Sequence, residues 1–166
     1  FAGYDALQEG IAVLSEYLVG GLSRPRMRLL AARVVAANLM LNGASFVETF
    51  RVLDREYDFS TQTAYTITMR IFRGGGLTKD AVYLRGLVEI LEYFAQGGKL
   101  EPLLVGKIAR DHIGLMRELL LRKAIRPPVL RPRYLELPGV AERFTKLAQG
   151  MTVMDLLTET KQEQLQ

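Results

Sequence analysis

The chain has no cysteine, no tryptophan and one histidine among its 166 residues. Without thiols there are no disulfides and no thiolate metal ligands, which suits a reducing cytoplasm. One imidazole and no thiol also exclude a zinc site built wholly within this segment. No run of about eighteen apolar residues is free of charge, so a helical membrane span is excluded and no membrane partner is expected. With 49% hydrophobic residues the chain reads instead as a soluble globular protein. Phe1-Ala2-Gly3-Tyr4 runs almost directly into a helical pattern, with neither an initiator Met nor a signal-peptide pattern, and reads as the interior of a longer cytoplasmic protein. Gly74-Gly75-Gly76 lacks the Lys-Ser/Thr of a phosphate loop, which excludes nucleotide binding there.

The net charge is +4, and two acid-free stretches carry the excess: Arg24, Arg26, Arg28 and Arg33, then Arg122, Lys123, Arg126, Arg131 and Arg133. No aromatic residues are interleaved with them as single-strand binders require, and no basic recognition helix is visible. Nucleic acid is therefore disfavoured as a partner, and a solvated surface is the simpler account.

Helical periodicity runs nearly throughout. Tyr4, Leu7, Ile11, Leu14 and Leu18 form one apolar stripe ending at Gly20-Gly21. Pro25 opens a second helix, with Leu29, Leu30, Val34, Ala37 and Leu41 leading to Asn42-Gly43. Ser45 and Glu48 have capping-box spacing for a third helix through about Arg55, with Phe46, Phe50 and Leu53 inward. A fourth is expected from near Ser60 to Phe72, although Thr61, Thr63, Thr66, Ile67 and Thr68 are β-branched. Thr78 is placed to cap a fifth, carrying Val82, Leu84, Leu87, Leu91 and Phe94. Pro102 can open a sixth from Leu103 to Lys123. Residues 126–138 hold four of the six prolines and should run extended, before short helices at Val140–Ala148 and Thr152–Leu157. The expected fold class is all-α, an orthogonal multi-helix array forming one domain over residues 1–158, with a frayed polar tail at 159–166.

Leu7-Gln8-Glu9-Gly10-Ile11-Ala12 resembles the signature of the flavohaemoglobin expression-modulating QEGLA-motif family, relatives of the microtubule-associated tyrosine carboxypeptidases. Asn42-Gly43-Ala44-Ser45-Phe46, Arg70-Ile71-Phe72-Arg73-Gly74, Thr78-Lys79-Asp80-Ala81-Val82-Tyr83-Leu84 and Gly106-Lys107-Ile108 follow in that family's order. The resemblance implies the C-terminal part of a zinc-peptidase-like domain. In such a domain an upstream His-Glu-x-x-x-His helix gives two zinc ligands and the general base. The glutamate of the QEGLA motif gives the third ligand, which is Glu9 here. Zinc with three protein ligands keeps one position for a water of lowered pKa. Leu7 and Ile11 stand where the family commonly has a polar residue and Leu. No His-Glu-x-x-x-His occurs in this chain, so it holds none of the catalytic residues, and zinc is expected in the full-length protein but not on this chain alone. Gly10, next to Glu9, would let another helix approach closely.

Two residues along from Leu7, Glu9 lies about 160° away around the helix, off the main stripe and on the side of Val13 and Glu16. His112, on the face of Val105, Ile108 and Leu119, is expected to be a packed or capped core histidine rather than a ligand. The resemblance places Arg70, Arg73, Lys79 and Tyr83 near the substrate cleft, where an arginine fork suits the C-terminal carboxylate of a peptide or protein substrate. The alternative for these residues is a helix-end cap with a surface pair at Asp80, worth under about 1 kcal/mol. The expected partners are that substrate and the upstream part of the same protein, and self-association is expected at an apolar patch beside the first helix. For the function itself, the alternative is a non-catalytic helical interaction module that affects gene expression indirectly.

Overall fold

The computed structural model describes residues 3–74 and 77–157, and the backbone alone at 77–79. Among the described residues there are helices and no strand, so the protein is all-α as expected. None of these helices is long and apolar enough to cross a membrane. Residues 159–166, where the tail was expected, lie outside the described residues.

The chain divides into two compact units, one of residues 1–23 with 85–166 and one of residues 24–84. In the first, helix α1 (Asp5–Leu18) buries Leu7, Gly10, Val13, Leu14, Tyr17 and Leu18. The covered face thus takes in Gly10, Val13 and Tyr17 besides Leu7, Leu14 and Leu18 of the expected stripe. Large exposed apolar residues of this unit include Val19, at the C-cap of α1, with Val88, Leu115, Leu121, Val129, Leu130, Leu137 and Met154.

Helix α5 (Leu77–Ala95) runs through the boundary, and its later turns bury Leu87, Ile90, Leu91 and Phe94 in the first unit. The long helix expected from Leu103 to Lys123 is broken. A 3₁₀ turn at Glu101–Leu104 and another at Arg110–His112 precede helix α6 (Ile113–Leu121). Leu103 and Ile108 are both buried. On one continuous helix they would point about 140° apart, and Gly106, at φ +152°, leaves the helical region between them. Residues 126–138 are irregular apart from a 3₁₀ turn at Arg133–Glu136. Helix α7 (Val140–Ala148) lies as expected, and residues 153–157 are helical. Arg143 of α7 donates to the Leu18 carbonyl at 2.9 Å, placing a cation on an otherwise orphaned acceptor at the end of α1.

The second unit holds helices α2 (Arg24–Leu41), α3 (Phe46–Arg51), α4 (Thr61–Phe72) and the first turns of α5. Its core is Ala32, Ala36, Ala37, Leu53, Ala64, Ile67 and Ile71, with Leu29, Met40, Phe50, Phe59 and Phe72 packed against it. Alanines on α2 let its backbone lie close to α4, and this tertiary contact outweighs the weak helix propensity of the threonine-rich α4. Ser45 and Glu48 form the expected capping box. The third helix ends earlier than expected, at Arg51, and passes into a π-helical turn at Val52–Glu56 closed by the Tyr57 N–H on the Val52 carbonyl. Asp58 then takes φ +53° and turns the chain into α4.

Candidate functional site

Glu9 is half-buried on α1 in the first unit. Its neighbour Gly10 meets Gly86 of α5: a β-carbon on Gly10 would lie 2.3 Å from the Gly86 carbonyl carbon. The close approach expected of Gly10 is therefore real, and the approaching helix is α5. Val13, on the same side of α1 as Glu9, is fully buried, so that side also packs against the protein.

His112 closes a 3₁₀ turn, its Nδ1 accepting the Ala109 N–H at 3.3 Å. The residue is half-buried at this turn rather than in the core, where it was expected. Among the described residues no three His, Asp or Glu side chains gather as a metal-holding group.

The basic residues singled out in the sequence belong to the second unit. Arg70, near the end of α4, donates through Nε to both carboxylate oxygens of Asp80, at 3.0 and 2.9 Å. Asp80 is completely buried while the Arg70 side chain is 44% exposed. Arg33 of α2 approaches the same carboxylate at 3.6 Å. The hydrogen bond to Asp80, above all, holds Arg70 even more firmly protonated than usual, helped by the charge of Asp80 and by nearby Tyr83. Tyr83 is half-buried one turn beyond Asp80 on α5. Arg73 is exposed at the C-cap of α4. The Lys79 side chain lies outside what is described.

This corrects the expected surface pair. A carboxylate with no exposure, gripped by one arginine and approached by a second, is a buried charge, and taking away a partner of such a group costs about 3–5 kcal/mol. Sequence reasoning missed Arg33, which it had left in a solvated basic run. Nothing local marks the link, because 47 residues separate Arg33 on α2 from Asp80 on α5. Arg28 of the same run is also structural: it caps the Tyr57 carbonyl and stacks 4.7 Å over the Phe59 ring.

The family model described as microtubule-associated tyrosine carboxypeptidase matches residues 1–152. The chain belongs to that family. No curated protein and no solved structure matches it. The matched span takes in Glu9, the Arg70–Asp80–Arg33 cluster and Tyr83 together. Family membership agrees with the relationship inferred from the QEGLA segment and the four ordered blocks after it, and it suggests a tyrosine carboxypeptidase-like protein.

Proposed function

We propose that this chain is the C-terminal helical part of a zinc metallocarboxypeptidase. In this reading Glu9 is the third protein ligand to zinc, and Arg70 holds the C-terminal carboxylate of the substrate. Family membership over residues 1–152 supports it. The observation that carries it is Arg70, an exposed guanidinium bonded through Nε to a fully buried carboxylate. A planar cation held in one orientation suits bidentate recognition of a peptide's terminal carboxylate. Arg73, Lys79 and Tyr83 stand in the same sequence blocks and serve as further contacts to the peptide end.

A carboxylate oxygen is an accepted zinc ligand, and the backbone contact at Gly10 fixes the helix that presents Glu9. The remaining ligands and the general base belong to another part of the protein. Zinc, when bound, supplies a water of lowered pKa for attack on a carbonyl. Of this chain's own residues, Arg70 binds the terminal carboxylate of the peptide.

Elemental analysis of the full-length protein, with an assay for tyrosine release from a synthetic peptide, tests the reading. Stoichiometric zinc and tyrosine release are expected, with both reduced together in Glu9→Gln. Unchanged zinc content and activity in that variant would remove Glu9 from the ligand set. A zinc-loaded protein that releases no terminal residue would favour the interaction module.

A further inference from the structure

We infer that Asp80 is a positioning residue for Arg70, fixing its guanidinium so that the site selects peptides with a free α-carboxylate over those with a blocked end. The inference rests on the reading of Arg70 as the carboxylate holder. Three observations carry it. Asp80 is completely buried, yet it spends both carboxylate oxygens on one atom, the Nε of Arg70. Bonding through Nε leaves the guanidinium's terminal edge turned away from Asp80, and the side chain is 44% exposed. Arg33 adds a second cation 3.6 Å from the same carboxylate.

Two guanidiniums against one carboxylate leave the cluster with an excess positive charge. A structural latch between α4 and α5 needs only one cation, and a neutral pair would serve it better than a buried charge with two partners. The surplus charge finds its balance in an incoming anion. A peptide's terminal carboxylate has the planar, two-oxygen shape that an arginine edge matches, whereas a carboxamide offers one acceptor and brings N–H donors against a cation. Tyr83, one turn along α5, is half-buried and within electrostatic reach of Arg70.

Binding to the full-length protein is measured by calorimetry with two peptides ending in tyrosine through an N-methylated, uncleavable last bond. They differ only in a free terminal carboxylate or a carboxamide. The wild type should prefer the acid by about ten- to a hundredfold, the range for hydrogen bonds to charged groups. Asp80→Asn should lose most of that preference while binding the amide as before, and Arg70→Lys, which keeps the charge but not the fork, should do the same. Asp80→Glu keeps the charge but displaces the carboxylate by a methylene; it should lose part of the preference, and it decides the matter if Asp80→Asn does not fold. An unchanged preference in a folded Asp80 variant overturns the inference, as does equal weakening toward both peptides, the mark of a purely structural role. A wild type without preference overturns it too. A preference that persists in a protein without zinc or tyrosine release leaves the inference standing and removes the peptidase reading alone.

Discussion

Gly10 of α1 and Gly86 of α5 touch backbone to backbone: a β-carbon on Gly86 would come 1.8 Å from the Ala6 carbonyl oxygen. Neither position has room for a methyl group, since the obstructing atoms are main chain and have no rotamer to change. Gly10→Ala should therefore force the two helices apart and destabilise the protein by about 3 kcal/mol, at the upper end for overpacking. Gly114, on α6 with open space around it, is the contrast. Gly114→Ala should stabilise by up to about 1 kcal/mol, the backbone-entropy gain of a helical alanine. Chemical denaturation of the two variants checks the pair, and similar effects at both sites would refute the contact.

Thr49 is buried without any exposure on α3, and its Oγ1 finds no hydrogen-bond partner among the described residues. A desolvated, unpaired hydroxyl costs about 1–3 kcal/mol. Thr49→Val keeps the shape and removes the unpaired oxygen. It should leave the protein as stable as before or more stable by about 1 kcal/mol, read from the denaturation midpoint at constant m-value. A loss of stability would mean that the hydroxyl is bonded.

The capping box makes stability depend on pH. The Glu48 carboxyl is held below its ordinary value of 4.5, first by the backbone N–H of Ser45 and then by the Ser45 hydroxyl. Its folded pKa is thus lower than its unfolded one. The stabilisation it gives is complete above the unfolded value and disappears as the pH falls through the folded one. Asp155, held down by Thr152 before the helical residues 153–157, adds in the same direction. Glu48→Gln should be less stable than the wild type at neutral pH, and the two should converge in acid. A gap that stays constant from about pH 7 to pH 3 would show that the carboxylate charge takes no part.

What could be read from the sequence was what lies close together in it. The capping box, the start of α4 at Ser60, α7 and the prolines of residues 126–138 all carry their signal within a few residues. The break at Gly106 was hidden because Leu103–Leu121 is leucine-rich at helical spacing, and only the need to bury both Leu103 and Ile108 decides against one helix. At the candidate site, the QEGLA segment pointed to Glu9 and to the close approach at Gly10, but not to its partner 76 residues away. The burial of Asp80 was equally invisible, since a charged residue in the first turn of a helix reads as a solvated cap until α2 and α4 close over it.

Metal dependence follows from how few ligands this chain holds. Structural zinc in small modules is bound with about 10–16 kcal/mol through several ligands acting together. A single carboxylate supplies a small part of that and must give up its present surroundings to do so. The 166-residue chain is therefore expected to bind zinc no more tightly than about millimolar and to release no tyrosine from peptides. Addition of zinc should leave its unfolding midpoint unmoved, because a ligand stabilises only in proportion to the logarithm of its concentration over Kd. The same titration on the full-length protein should raise the midpoint by several degrees, and Glu9→Gln there should remove most of that rise. Stoichiometric zinc on the isolated chain, or a zinc-dependent midpoint unaffected by Glu9→Gln in the full-length protein, would place the third ligand elsewhere.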